Sequence, residues 1–238
     1  MLNRFIKTIH KKYSRFFRFI FFLRYLFGLF IVSIFLFLIT PSFFNYEKKS
    51  ENFKRHLIKY YDIEISKYEG LEYQLFPLPN LEFTNLSIKF DTSPVELNVK
   101  KLKIYPKLLS IYNDKNFQSN KIVFKNSEII LKTSDFNFFI KKVFTQKNKI
   151  YFKDLNVKIY DKINLLASLN NIKFTNFGFK KNIVEGDILG KEFRIKINKS
   201  LNNINFKLNK SGINFNINLE KNSNKNSLNG VFKSKILS

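Results

Sequence analysis

The sequence of 238 residues contains no cysteine, no tryptophan and only two histidines, and it is poor in glycine and proline. The absence of cysteine excludes disulfides, thiolate metal sites and a cysteine nucleophile. None of the seven glycines belongs to a phosphate-cradling loop. His10 and His56 have no metal-binding partner at helical spacing, so we expect both at the surface. Carboxylate pairs such as Glu185 and Asp187 are expected on solvated strand edges. The sequence therefore predicts no enzyme and no catalytic, metal or cofactor site.

Acidic residues are also scarce, with 18 Asp and Glu against 42 Lys and Arg, so the formal net charge is +24. The many Phe, Lys and Asn residues are typical of an AT-rich coding sequence, and the apolar/polar pattern is therefore more informative than residue type. Apolar residues make up 45%, enough to build a core in a chain of this length. A strongly basic chain is either a nucleic-acid binder or a protein that faces anionic lipid. The distribution of charge distinguishes the two.

The N-terminal segment predicts a membrane anchor. Residues 1–24 form a basic flank without an acid, and its seven bases are Arg4, Lys7, Lys11, Lys12, Arg15, Arg18 and Arg24. An apolar stretch predicts a transmembrane helix over 19–40, with Arg15, Arg18 and Arg24 at its membrane flank. The positive-inside rule keeps the N-terminus in the cytoplasm and places the remainder outside it. A cleaved signal peptide and a buried core helix are the alternatives. An exported domain does not normally meet genomic nucleic acid, so no nucleic-acid partner is expected.

The rest of the chain predicts a short juxtamembrane helix over 47–61 and then a β domain over 62–238. Alternation changes phase near Asn85 and again at Lys100–Lys101, which indicates β-bulges or tight turns. Helical interruptions are predicted over 105–113 and 134–147. The fold class is therefore mainly β: an N-terminal transmembrane helix, then a curled antiparallel β-meander with an open apolar groove and one or two short helices. A closed sandwich fits the same pattern. The candidate groove face is Ile195, Ile197, Ile204, Phe206, Leu208, Phe215 and Ile217.

A Phe-Pro-Leu-Pro turn interrupts two strand-like runs at Phe76, Pro77 and Pro79, where prolines are tolerated only at a corner. Apolar residues follow it in a characteristic order. They are Leu81, Phe83, Leu86 and Ile88, then Val99, Leu102 and Ile104, then Pro106, Leu108 and Leu109, then Ile122, Phe124, Ile129 and Leu131. With the anchor, this order over residues 17–135 resembles the N-terminal region of the AsmA family of bacterial envelope proteins. Asn126–Ser127 departs from the family, which often has Gly-Pro there.

The resemblance implies a protein anchored once in the inner membrane, with its bulk in the periplasm and a role in outer-membrane biogenesis. One implied function is the handling or transfer of phospholipid, with acyl chains in an apolar β-groove. The alternative is a scaffold without enzymatic activity that aids outer-membrane protein assembly. The expected partners are the lipid bilayer, phospholipid acyl chains and envelope assembly proteins. Binding of an anionic envelope polymer through the Lys face is a third possibility left open by the pattern.

Overall fold

A computed structural model describes residues 14–90, 95–198, 202–222 and 225–234. The chain divides into two units, Met1–Phe44 and Asn45–Ser238. Most of the predicted basic flank, residues 1–13, lies outside the described residues.

The first unit is a single long helix, α1 (Ser14–Ile39), followed by a 3₁₀ turn at Thr40–Phe43. The most apolar 18 residues within Arg18–Phe43 have a mean hydropathy of 2.4, and none of them is buried. A helix that is apolar on all sides is normally buried in a protein core or in a membrane, and the apolar side chains of α1 are exposed. It is long and apolar enough to cross a membrane, and Arg18 and Arg24 lie on it. Arg15 belongs to the same helix.

The described residues of the second unit form one sheet and two α-helices. The helices are α2 (Ser50–Tyr61) and α3 (Thr133–Thr145), with 3₁₀ turns at Glu47–Lys49, Leu108–Tyr112 and Asp114–Asn116. The strands are β1 (Ile63–Lys67), β2 (Gly70–Gln74), β3 (Asn80–Phe90), β4 (Glu96–Pro106), β5 (Ser119–Lys132), β6 (Ile150–Asp161), β7 (Asn164–Thr175), β8 (Ile183–Ile188), β9 (Lys191–Ile197), β10 (Asn203–Leu208), β11 (Ile213–Asn222) and β12 (Lys225–Ser234).

The strands form a mixed sheet whose order is β1-β3-β4 and then consecutive to β12, with β2 pairing the other half of β3. Within the described ranges β1 does not pair with β12, so the sheet is curled but not closed. The predicted fold class is confirmed, with one correction to its antiparallel pairing. β5 and β6 are parallel, because α3 carries the chain back to the starting end of the sheet, the connection that a parallel pair requires.

A line of residues with left-handed backbone crosses the sheet. Asn85 (φ 44°), Asn126 (φ 50°), Asp154 (φ 62°) and Asn171 (φ 52°) lie in β3, β5, β6 and β7. Asn and Asp tolerate this conformation better than other residues with a side chain. In β3 the buried apolar residues change parity at this point, so the apolar side stays continuous. The predicted phase change at Asn85 is thereby confirmed, and such irregularities bend strands and increase their twist.

Gly186 continues this line in β8, where the pairing with β7 shifts between Asn170 and Lys173. A Cβ added at Gly186 would lie 2.9 Å from the backbone oxygen of Asn170. We therefore expect Gly186→Ala to lower the free energy of unfolding by about 1–3 kcal/mol, since a strand would have to move. Thermal unfolding of the full chain in a non-ionic detergent measures this. Gly28→Ala, where a Cβ meets nothing within 4 Å, is the matched control; equal midpoints for both variants would contradict the prediction.

Candidate functional site

One row of apolar side chains runs across the sheet from β3 to β11. Directly paired residues point to the same face, and the paired residues of this central row are Phe83, Leu102, Phe124, Phe152, Phe174, Val184, Ile195, Phe206 and Phe215. Neighbouring rings touch along it: Phe124 and Phe152 stack at 4.4 Å between centroids, and Phe206 and Phe215 are 5.7 Å apart. The row defines the apolar face of the sheet.

Burial along the central row falls steadily from β3 to β11. Phe83 and Phe124 are 0% exposed and Phe174 is 3% exposed. Val184, Ile195, Phe206 and Phe215 are only half-buried, although the pattern of their strands is the same. The apolar face is thus covered at its beginning and open towards its other end.

Helix α3 covers the middle of this face. Phe139 lies edge-on to Phe90 of β3 at 5.7 Å, and Phe144 lies 4.7 Å from Phe174 of β7. Both Phe139 and Val143 are buried against the sheet. The helix position agrees with the predicted interruption over 134–147, but its role as a cover of the groove was missed. The signal was present, because an amphipathic helix between two strands has to bury its apolar side on their sheet.

A cavity of about 260 Å³ lies between α3 and strands β6 to β10. Phe, Ile, Leu and Val side chains alone line it, among them Phe136, Ile140, Leu169, Ile172 and Phe193. Its volume is a little below the range of about 300–1,000 Å³ typical of ligand pockets. A cavity without polar lining offers nothing to orient a polar ligand, and it suits hydrocarbon.

The seven predicted groove residues all lie on this side of the sheet. Ile195, Ile197 and Ile204 line the cavity itself. The other four lie beside it on β10 and β11 and are half-buried; they are Phe206, Leu208, Phe215 and Ile217. Strand register arranges these seven, together with Phe193 and Ile213, in three rows: Ile197–Ile204–Ile217, Ile195–Phe206–Phe215 and Phe193–Leu208–Ile213. We call these nine residues the apolar trough.

The opposite face of the same strands is polar. Lys207, Asn214, Asn216 and Asn218 alternate with the trough residues and are exposed. The Asn203 amide donates to Oδ1 of Asn216 at 3.1 Å across the β10–β11 pair. One solvated face and one apolar face make these strands half of a two-layer structure. In the part of the chain that the structure describes, α3 faces Ile204 of β10 across the cavity, and the trough residues of β11 stay half-buried.

Helix α2 closes the covered end of the apolar face, near β1 and away from the open end at β11. Phe53 and Leu57 are 0% exposed, and the Phe53 ring meets Phe117 edge-on at 4.8 Å. At the end of α2, Gln146 Nε2 donates to the Tyr61 carbonyl at 2.9 Å, and Lys142 pairs with Asp62 at 3.0 Å. These contacts join the ends of α2 and α3 into one cover.

The expectation that His56 is a surface residue was wrong, whereas His10 lies outside the described residues. His56 is 7% exposed, because its ring packs edge-on against Phe117 at 5.1 Å. Its Nε2 lies 2.9 Å from Ser119 Oγ, which also contacts the Tyr61 hydroxyl at 2.8 Å. Burial lowers the pKa of His56 to about 4; the Phe117 backbone opposes the shift and the charge of Lys59 adds to it.

This lowered pKa makes the fold sensitive to acid. Between about pH 4 and 6.5 the unfolded chain binds the His56 proton and the folded chain does not, so stability falls as the pH falls through this window. At pH 5 the loss is about 2 kcal/mol. We expect His56→Gln, which keeps a group able to bond Ser119, to flatten the dependence. Thermal unfolding at pH 7.5 and pH 5 tests this; parallel losses in the two proteins would contradict it.

One buried ionic cluster was also missed. Glu82 is 2% exposed and pairs with Lys101 at 2.7 Å and Lys103 at 2.8 Å. Burial raises the pKa of Glu82, but the hydrogen bonds from the two lysines outweigh it and hold the pKa below its ordinary value. The pairs join β3 to β4, and we interpret the cluster as structural. Across the described ranges, no group of three or more His, Cys, Asp or Glu residues is placed to hold a metal ion.

Phe76, Pro77 and Pro79 lie in the loop between β2 and β3, where the sequence predicts a corner. Phe76 is 75% exposed, and the Phe76–Pro77 peptide bond is cis. The loop closes through Asn80, whose side-chain amide donates to the Leu78 carbonyl at 2.7 Å. These residues shape the corner and stand apart from the trough.

The sequence matches no protein-family model and no curated protein.

Proposed function

We propose that this chain is a membrane-anchored protein that holds phospholipid acyl chains in its apolar trough. The observation that supports the proposal most is the burial gradient of the central row, which leaves Ile195, Phe206 and Phe215 only half-buried at the edge of an entirely apolar cavity. Contiguous apolar surface of this kind marks a binding surface in soluble domains. Each CH₂ group buried there would contribute about 0.8 kcal/mol.

We further propose the orientation implied by the basic N-terminal flank, with residues 1–24 in the cytoplasm and the sheet on the other side of the inner membrane. Helix α1 is long and apolar enough for a single span, and the bases precede it in the sequence. On this proposal the chain is an AsmA-like envelope protein of outer-membrane biogenesis. Eleven strands in line at about 4.8 Å each extend about 50 Å, so a partner would have to continue the path to a second membrane.

Photo-crosslinking of the full chain in its native membrane tests the proposal. Benzoylphenylalanine replaces Phe206 in the trough or Asn214 on the polar face of the next strand. After irradiation, mass spectrometry of the purified protein should find phospholipid adducts at position 206 and few at position 214. Equal yields at both positions, or none at position 206, would refute a lipid trough. Adducts at position 206 that are proteins rather than lipids would replace it with the assembly scaffold.

A further inference from the structure

A second, separate concavity lies on the outer side of α2. It has a volume of about 520 Å³, within the range of small-molecule sites. Asn52, Arg55, His56 and Lys59 supply one wall at helical spacing, and the segment Lys115–Gln118 supplies the other. The Arg55 guanidinium donates to the Asn52 amide oxygen, which holds it at the wall.

The charge of this cleft is one-sided. Among the side chains that the structure describes, three cations line it, Arg55, Lys59 and Lys115, and no acidic residue does. A cleft on the polar face of β7 to β10 has the same number of cations, but Glu185, Asp187 and Glu192 balance them. The overall basic composition of the chain therefore does not explain why only the α2 cleft has an excess of positive charge, because the β7–β10 cleft belongs to the same chain. Gathering like charges in a concavity costs free energy that an anionic ligand would recover.

The floor of the cleft is partly apolar. The buried His56 ring packs against Phe117 and lies 4.8 Å from the Tyr60 ring. The Lys59 ammonium lies 5.3 Å from the Tyr60 centroid, so one cation is held over an aromatic face beside His56. Amide groups of Asn116 and Gln118 complete the rim. Three cations and two amide groups around a partly apolar floor strengthen the positive field in the cleft.

We propose that this cleft binds a phosphate group, carried by a phospholipid headgroup or present as free phosphate. Arg55 would supply a planar fork suited to two phosphate oxygens, and Lys59 and Lys115 would supply point charges on either side. The site is independent of the apolar trough, since it has different residues on the other side of α2.

The two histidines make the test direct. The full chain is labelled with ¹³C-histidine and studied by NMR in a non-ionic detergent. Its spectrum contains one ring signal from His56 and one from His10, and the variant His10→Gln assigns them. Inorganic phosphate, glycerophosphoglycerol and dihexanoylphosphatidylglycerol are titrated at constant ionic strength. We expect a saturable shift of the His56 signal. A phosphate-bearing lipid is the source if dihexanoylphosphatidylglycerol saturates at lower concentration than glycerophosphoglycerol, and free phosphate is the source if inorganic phosphate saturates lowest.

The variant R55A/K59A/K115A should bind at least about tenfold more weakly, since exposed charge pairs each contribute a factor of about two to five. The matched control K141A/K191A/K196A removes the same charge from exposed positions elsewhere and should stay within about twofold of the parent. The absence of a saturable His56 shift with all three probes would overturn the proposal. Equal weakening in both triple variants would also overturn it, because the binding would then follow net charge alone.

Discussion

Replacing Phe206 by Asp is expected to lower phospholipid capture in the trough by more than about tenfold, while the sheet remains folded. Phe206 lies at the centre of the nine trough residues, paired with Ile195 on one side and Phe215 on the other. A carboxylate there would have to be desolvated by an acyl chain without a counter-ion, at a cost of several kcal/mol. In the absence of lipid the same carboxylate stays hydrated, because Phe206 is only half-buried. The yield of lipid adducts at a benzoylphenylalanine in place of Phe215 measures the effect.

Asn214→Asp is the matched control for this experiment. It introduces the same charge one strand away on the exposed polar face, opposite Lys207. It should leave the yield of lipid adducts within about twofold of that of the parent protein, since a solvated carboxylate near a lysine costs little free energy. An unfolded Phe206→Asp protein, with loss of the β signal in circular dichroism, would show that β10 belongs to a closed sandwich. A folded variant with undiminished lipid adducts would show that the trough is not where lipid binds.

The strands and their apolar sides were predictable from the sequence, because alternation is a local property. The three rows of the trough follow from runs such as Phe193–Ile197 and Ile213–Ile217, and the structure pairs them in register. The phase change at Asn85 was also visible, since one residue of slip exchanges the two faces of a strand.

What covers each part of the sheet was not predictable in the same way. Phe124 and Phe215 lie in strands with the same alternation, yet Phe124 is 0% exposed and Phe215 is half-buried. The difference comes from α2 and α3, whose placement is a tertiary property. The parallel pairing of β5 with β6 was missed for the same reason, although a helix of 13 residues between two strands has the length of a crossover.

Long-range partners explain the remaining errors. His56 is buried by Phe117 and bonded to Ser119, about 60 residues away in the chain. Glu82 is kept inside the fold by Lys101 and Lys103 on the next strand. A lone histidine on a basic helix and a lone acid in a strand have no local pattern that distinguishes burial from exposure. The burial of His56 and of Glu82 therefore could not be predicted from the local sequence.

The open trough also predicts a steep difference between two alanine substitutions in the same row. Phe124→Ala should lower the free energy of unfolding by about 3–5 kcal/mol, because a ring that is 0% exposed and stacked on Phe152 leaves a cavity. Phe206→Ala should cost no more than about 1.5 kcal/mol, because the half-buried ring removes less apolar area from water. Pulse proteolysis of the full chain in urea, in a non-ionic detergent, measures both.

The ratio of the stability losses for Phe124→Ala and Phe206→Ala distinguishes an open trough from a closed sandwich, the two architectures that fit the alternation of apolar residues. In a closed sandwich a second layer would pack on β10 as tightly as α2 and α3 pack on β4 to β7, and the two substitutions would cost the same. In an open trough the cost falls along the central row with burial, and Ile195→Ala in β9 should lie near the value for Phe206. Equal losses at Phe124 and Phe206 would therefore require a cover over the trough, and the free apolar surface on which lipid binding depends would not exist.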